Sequence, residues 1–531
     1  MNKGYTLVAV HPVSGVTERW KMDSELLRAF CVVQNRQKAG NMRYGLANGT
    51  KCALTRVIIM ALVFRRWASS IPSKAHLHKP LPDSSFPLGY KLTGVHAGVK
   101  KNKEIFDLGV ILSTSSQPTS AAACFTRNAF KAAPVLVSDE ILTDNKGRVR
   151  ALVVNSGCAN AVTGKQGLED AWAMVKHTTS LLPSSGQNVS TNDALVMSTG
   201  VIGQNLPISS IIAGIRRAAD SLGSDFTAWE RAAKAFMTTD TFPKLRSRIF
   251  TINGVQYRLA GMDKGAGMIH PDMGPASTSF PSPRQLHATL LGCIMTDAAV
   301  SPRSLQNALT YAVDRSFNSI SVDGDMSTND TIIVLANGAA APVDANGHVQ
   351  EIDEETDKDA FDAFKKELTD FAADLAQLVV RDGEGATKFV AVKVKGAPTY
   401  QDAHTIASKI STSALVKTAL YGEDANWGRI LAATGSVPLS PSSSKTSSIP
   451  PPTIDPTKVS VTFIPSDGTA PLPVLVNGEP EKVDEDRAKK ILNLEDINIV
   501  VDLGMKGDGE ATYWTCDFSY EYVRINGDYR S

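Results

Sequence analysis

Two charged residues in glycine-rich settings are the first candidates for chemistry. Lys264 opens the run KGAG (Lys264–Gly267), and Glu384 lies in DGEG (Asp382–Gly385). A lysine of this kind can meet a carboxylate and a glutamate an amino group through charge-assisted hydrogen bonds, although each taken singly reads as a solvated loop charge. Cys158 follows a glycine and invites a thiol-nucleophile reading. No histidine motif supports that role, so it reads as a small packed residue. Asp323, Asp325 and Asp330 suggest a metal loop, but the EF-hand spacing is incomplete. Turn or cap roles are expected for them, and no metal site. None of the nine histidines sits in a catalytic or metal-binding motif. There is no GxSxG elbow and no HExxH, and KGAG has neither the Walker spacing nor the GxGxxG of a dinucleotide fold.

These residues need elements to hold them. Arg150–Asn155 (RALVVN) has the composition of a buried strand that ends in the turn Ser156-Gly157. Leu168, Ala171, Trp172 and Val175 give helical spacing over Gln166–Leu182. Ser301-Pro302 marks a helix start, with serine as cap and proline in the first turn, and the helix is expected to run to about Phe317. Asp353–Val379 reads as a long helix with an acidic beginning, as the helix dipole favours, and Thr405–Tyr421 as a third. Val459–Ile464, Ile497–Leu503 and Tyr513–Ile525 read as strands. Order is expected to begin near Pro87–Gly89. Pro438–Pro456 is Ser/Pro-rich and reads as a solvated loop. A second such segment, Gly274–His287, interrupts a glycine-rich apolar region. Strands mixed with long helices imply an α/β or α+β domain, with helices covering sheet.

Composition narrows the function classes. The chain has 531 residues, 43% of them hydrophobic, and a formal net charge of +1. That balance gives no reason to expect nucleic acid or an anionic membrane as partner. The longest apolar run, Val57–Phe64, falls far short of the roughly 20 residues needed to span a bilayer. The six cysteines are scattered without a CxxC pair, which fits a reducing compartment. The stretch Met60–Lys79 carries Arg65, Arg66, Lys74 and Lys79, several serines and no acid. This is the composition of a mitochondrial transit peptide, so a mitochondrial matrix location is expected. Residues 1–59 contain Glu18, Asp23 and Glu25 and read as an upstream extension.

An ordered set of blocks carries a resemblance. They are NSGCANA (Asn155–Ala161), MSTGVIG (Met197–Gly203), MTTDTFPK (Met237–Lys244), KGAGMIHPDM (Lys264–Met273), ATLLG (Ala288–Gly292) and SVDGDMSTNDT (Ser321–Thr331). RDGEGATKF (Arg381–Phe389), YGEDANWGRI (Tyr421–Ile430) and the terminal NGDYRS (Asn526–Ser531) follow. From Pro87 onward the chain resembles the ornithine acetyltransferases of arginine biosynthesis, in particular the fungal mitochondrial form.

The resemblance implies a layered α-β-β-α sandwich and a precursor that cuts itself between Ala288 and Thr289. It implies three parts: 1–86 as extension and transit peptide, 87–288 as the first mature chain and 289–531 as the second. A threonine hydroxyl alone is a poor nucleophile, but an α-amine freed by the cut has a pKa of about 8 and can take its proton at neutral pH. Such a base is worth about 10²–10⁴-fold. By the same resemblance Thr289 takes the acetyl group of N-acetylornithine and passes it to glutamate, and Thr199 and Gly200 form the oxyanion hole. Substrate contacts fall to Thr238 (with Thr239 as an alternative register), Lys264, Thr289, Glu384, Asn526 and Ser531. No cofactor is expected; acetyl-CoA enters as a further substrate. Two copies of each mature chain are expected to assemble as a heterotetramer. The insertion Gly274–His287 falls where the family has Met273 and Ala288 as neighbours. If it displaces the scissile turn, cleavage fails or shifts to Ser277 or Thr278. Ser531 stands where the family has threonine. Two other classes compete: an N-terminal-nucleophile amidohydrolase or aminopeptidase that uses water as acceptor, and an uncleaved binding protein.

Overall fold

The computed structural model describes residues 5–10, 17–22, 71–183, 192–275, 290–440 and 453–527. Met1–Ser70 and Ile71–Ser531 are separate units. In the first, Tyr5–Val10 and Thr17–Met22 pair antiparallel, with Tyr5 opposite Met22. The leader composition at residues 60–70 lies outside the described residues. Order in the second unit begins at Ile71, earlier than Pro87. Lys74 is buried with its Nζ 2.5 Å from Glu495 Oε1, and His78 Nε2 lies 2.9 Å from Glu230 Oε1. Basic residues that suit a leader by composition therefore belong here to the folded body.

In chain order the second unit begins with β1 (Tyr90–Val95), β2 (Leu108–Ser113), β3 (Ser120–Thr126), α1 (Ala133–Asp144) and β4 (Ala151–Cys158). It continues with α2 (Gly164–Thr179), β5 (Ala194–Val201), α3 (Ile208–Ala218), α4 (Phe226–Phe236), β6 (Lys244–Ile252), β7 (Val255–Lys264) and β8 (Met273–Pro275). After the undescribed segment 276–289 come β9 (Leu291–Thr296), α5 (Pro302–Asp314), β10 (Ile320–Ser321), β11 (Thr331–Ala336) and α6 (Lys358–Arg381). The rest is β12 (Phe389–Ala397), α7 (Tyr400–Ser411), α8 (Ala414–Tyr421), α9 (Trp427–Thr434), β13 (Ser460–Pro465), β14 (Leu472–Val476), β15 (Glu479–Pro480), α10 (Glu485–Leu492), β16 (Asp496–Asp502), β17 (Gly509–Cys516) and α11 (Tyr520–Asn526).

A four-stranded sheet, β1-β2-β4-β5, faces a six-stranded sheet, β8-β3-β11-β9-β7-β6. Strand alternation assigns the layers. Ala121, Ala123, Leu291, Cys293, Met295, Ile333 and Leu335 join the four-stranded sheet in one core, while Ala122, Cys124, Ile294, Ile332 and Val334 join α5 and α6 in another. With α2 and α3 packed on the four-stranded sheet, this is the expected α-β-β-α order. A third, seven-stranded sheet, β10-β17-β12-β16-β13-β14-β15, extends it and has its own core with α7, α8 and α9.

Several sequence expectations need correction. The strand from Ala151 does not turn at Ser156-Gly157 but continues to Cys158, with a bulge beside β5. The long acidic helix begins at Lys358, where the Asp357 side chain accepts from Ala360 N. The third expected helix is two, because the Ser413 side chain caps a new start by accepting from Val416 N. Tyr513–Ile525 is not one strand: β17 stops at Cys516 and Ser519 caps α11. Gly274 and Pro275 of the insertion pair with Phe125 and Cys124 of β3. The rest of the insertion, and residues 441–452 of the Ser/Pro-rich loop, lie outside the described residues.

Candidate active site

Ala288, Thr289 and Ser531 lie outside the described residues. Their surroundings do not. β9 begins at Leu291 and lies between β11 (parallel) and β7 (antiparallel), with Leu291 opposite Lys264. Leu290 is fully buried; its N–H donates to Asp330 Oδ1 at 2.7 Å and its carbonyl accepts from Thr331 N at 3.0 Å. The residue after Thr289 is therefore held at both its N–H and its carbonyl, and Lys264, the last residue of β7, lies across the ladder from the next residue, Leu291.

Thr199 and Gly200 lie next to the end of β5, before Val201. Gly200 has φ +124°, and a Cβ there would stand 2.3 Å from Gly157 C and 2.7 Å from Cys158 N, so only glycine fits against the NSGC bulge. Thr199 is fully buried and its hydroxyl has no hydrogen-bond partner among the described residues. A buried hydroxyl in that state carries a desolvation cost that no described residue offsets, as expected of a group kept for a bound molecule. Asn329 fixes this strand: its Nδ2 donates to Ala159 O at 2.7 Å and to Ser198 O at 2.8 Å. Asn329 and Asp330 are adjacent, so one dipeptide grips both the strand of Thr199 and the residue after Thr289.

Lys264, at the end of β7, is only 2% exposed. Burial pulls its ammonium below the ordinary lysine value, opposed by the nearby Asp240 carboxylate. Glu384 is buried; its N–H donates to Ala266 O at 2.7 Å and its Oε2 accepts from Asn526 Nδ2 at 2.8 Å. Gly267 makes room for this carboxylate, since a Cβ there would stand 2.2 Å from Oε2. KGAG, DGEG and the C-terminal helix α11 therefore interlock. Thr238 is half-buried with its N–H on Asp240 Oδ2 at 2.8 Å, whereas Thr239 is exposed. That favours Thr238 as the inward residue of the pair.

Behind these groups lies a buried ion cluster. Lys244 Nζ, fully buried, is 2.5 Å from Asp240 Oδ1 and 2.7 Å from Asp382 Oδ2. Asp240 Oδ1 also accepts from Gly265 N at 2.9 Å, and Asp382 Oδ2 from Thr241 N at 2.9 Å. The cluster thus links the loops that carry Thr238, Lys264 and Glu384. Burial alone would push the Asp240 carboxyl up, but Lys244 and Lys264 overturn that and hold it below the usual range. Asp263 behaves differently. Both its oxygens are buried without a hydrogen-bond partner among the described residues, and burial pushes its carboxyl well above the ordinary value.

The remaining candidates fall into structural roles. Asp323 accepts from Met268 N at 2.5 Å and Ile269 N at 2.8 Å, which shapes the turn after KGAG. Among the described residues no group of three or more potential metal ligands occurs. Cys158 is buried with Sγ 3.1 Å from Gln204 O, and burial pushes its thiol up, which suits packing rather than nucleophilic attack. Asp240, Lys244, Asp382 and Asn329 were not singled out by motif. All four fall inside the quoted blocks, and for the ion cluster the further local signal is the Asp240/Lys244 spacing.

The sequence profile described as the ArgJ family matches residues 91–531. A Coprinopsis cinerea relative named as a mitochondrial arginine biosynthesis bifunctional protein ArgJ is 74% identical over 481 residues, which is 88% of this chain and 99% of the relative. A relative of the same name from Cryptococcus neoformans var. neoformans serotype D is 54% identical over 472 residues, covering 87% and 94% of the two chains. Among solved structures, an ArgJ protein from Bacillus halodurans is 35% identical, at a TM-score of 0.36, over 44% of this chain and 96% of that one.

Proposed function

The chain belongs to the ArgJ family, and from that premise we propose that it is a mitochondrial, self-processing acetyltransferase of arginine biosynthesis. It moves the acetyl group of N2-acetyl-L-ornithine to L-glutamate, and it also acetylates glutamate from acetyl-CoA. The observation that carries this reading is convergence. The clamped residue after Thr289, the unpartnered Thr199 hydroxyl, Lys264 and Glu384 are drawn together through Asn329, Asp330 and the Lys244 cluster.

In the proposed reaction the chain cuts between Ala288 and Thr289, giving mature chains that end at 288 and begin at 289. The Thr289 hydroxyl attacks the acetyl carbonyl while the freed α-amine accepts its proton. Thr199 and Gly200 receive the oxyanion; one such donor is worth about 10²–10³ in rate. The C–N bond breaks and ornithine leaves as the amine with that proton; the glutamate amine then attacks the acetyl ester, its C–O bond breaks, and the proton lost by the amine passes through the α-amine back to the Thr289 oxygen. Lys264 holds the α-carboxylate, Glu384 the amino group, and Thr238, Asn526 and Ser531 complete the contacts. Two copies of each mature chain form the assembly, in the mitochondrial matrix.

Intact mass with N-terminal sequencing of the purified chain tests this first. A fragment that starts Thr-Leu-Leu-Gly, together with glutamate-dependent release of ornithine, supports the reading. A single uncut chain removes the nucleophile and sinks the reading for this sequence. A cut enzyme that releases acetate to water without transfer to glutamate makes it a hydrolase instead.

A further inference from the structure

The acetyl-transfer reading leaves a charge problem that the fold answers. The donor carries an α-carboxylate and a cationic side-chain amine, which Lys264 and Glu384 suit. The acceptor carries two carboxylates. Seated the same way, its side-chain carboxylate would face Glu384 and be repelled, so an acidic acceptor needs a second cation in the site. Lys244 cannot serve, because its ammonium is fully buried between Asp240 and Asp382.

Lys100 can. We propose that Lys100 is the second cation of this site and selects the acidic acceptor by pairing with the side-chain carboxylate of a short acidic amino acid. This rests on the acetyl-transfer reading above. Its placement comes from three contacts. Its Cγ lies 3.3 Å from where a Cβ on Gly157 would sit, against the bulge that pairs with Gly200. Its Nζ donates to Met237 O at 2.6 Å, the carbonyl just before Thr238, and to Phe106 O at 3.1 Å. Its backbone is pinned by the fully buried Asp107, whose Oδ2 accepts from Val99 N at 2.8 Å and Lys100 N at 2.9 Å.

The ammonium has three donors, and the two carbonyls take two of them. Among the described residues Lys100 makes no ion pair, so one donor and a full charge remain for a ligand. The charged groups whose fields reach it are Asp107, Asp240 and Lys264. Burial, helped by Lys264 and opposed by Asp107 and Asp240, lowers its pKa to about 8. It stays a cation at neutral pH and loses its charge just above it.

The test is steady-state kinetics of the mature enzyme as wild type, Lys100→Met and Lys100→Arg, with the KM measured separately for glutamate and for N-acetylornithine. Lys100→Met should raise the glutamate KM about 10- to 100-fold, the size of one lost charge-assisted hydrogen bond, and leave the N-acetylornithine KM nearly unchanged. Lys100→Arg should fall between. The wild-type glutamate KM should also rise as the pH passes about 8, and Lys100→Met should lack that step. If Lys100→Met does not fold, Lys100→Arg and the wild-type pH profile decide alone. An unchanged ratio of the two KM values, or an equal rise in both, overturns the role of Lys100. A cut wild-type enzyme that cannot exchange acetyl between the two substrates overturns the transfer reading itself.

Discussion

The six-stranded sheet and the seven-stranded sheet treat charge in opposite ways. β9 and β11 are buried along their whole length, yet the layer they belong to encloses Lys244, Lys264, Asp263 and Asp330. In the seven-stranded sheet β16 alternates between buried and partly exposed residues, as a sheet with one wet face does. Ion pairs between its strands sit on that wet face, where Lys393 Nζ is 3.0 Å from Glu510 Oε2 and Lys395 Nζ 2.9 Å from Asp502 Oδ2. Buried charges cost stability unless they are paired, and exposed pairs contribute little. Charge kept inside the first sheet is thus concentrated at the candidate site, and the ion pairs on the second lie in solvent.

Four substitutions probe that contrast. Lys244→Met leaves Asp240 and Asp382 buried without their cation and should cost about 3–5 kcal/mol in urea unfolding; a loss under about 1 kcal/mol would mean that water reaches the cluster. Thr199→Val removes a hydroxyl that has no hydrogen-bond partner among the described residues. Acetyl transfer should fall about 10²–10³-fold with the melting temperature unchanged or raised, and a lower melting temperature would assign the hydroxyl a structural partner. Asp263→Asn has a smaller effect, dependent on pH. The native state raises this carboxyl's pKa by burial, so the stability it contributes is full below its unfolded value and is lost as the pH rises. The variant should therefore gain in melting temperature over wild type between pH 4 and pH 8, and a constant gap would show that the carboxyl titrates normally. Lys393→Ala should change stability by no more than ~0.5 kcal/mol, which thermal unfolding at low and high salt can verify.

The residues that repeat a family block were legible from the chain alone. Thr199, Gly200, Lys264 and Glu384 each sit in a glycine-rich run whose order along the chain is specific. The supports were harder to see. Lys244 meets Asp240 four residues away, but Asp382 lies 138 residues off, and no local pattern joins such a pair. Lys100 stands in a Lys-Lys doublet that reads as solvated surface; only the fold puts it against Gly157 and Met237. Asn329 was visible inside the TNDT block, but it reads as a turn residue until its two carbonyl acceptors are known. The Tyr520–Asn526 helix failed for another reason. Its aromatic and β-branched residues suit a strand, and none of them is buried in the helix, so no apolar face marks the true period.

The six-stranded sheet gives the proposed cut one more consequence. A break before Thr289 leaves β9 and β11 on one product and β3, β6, β7 and β8 on the other, while the order β8-β3-β11-β9-β7-β6 interleaves them. Parting the fragments would mean drawing two central strands out of a sheet flanked on both sides, which amounts to unfolding the domain. The halves of one molecule are therefore partners for life. Pools of enzyme carrying different tags on the two fragments should stay unscrambled after mixing, and two alleles with lesions on opposite sides of the cut should not rescue each other by trading halves.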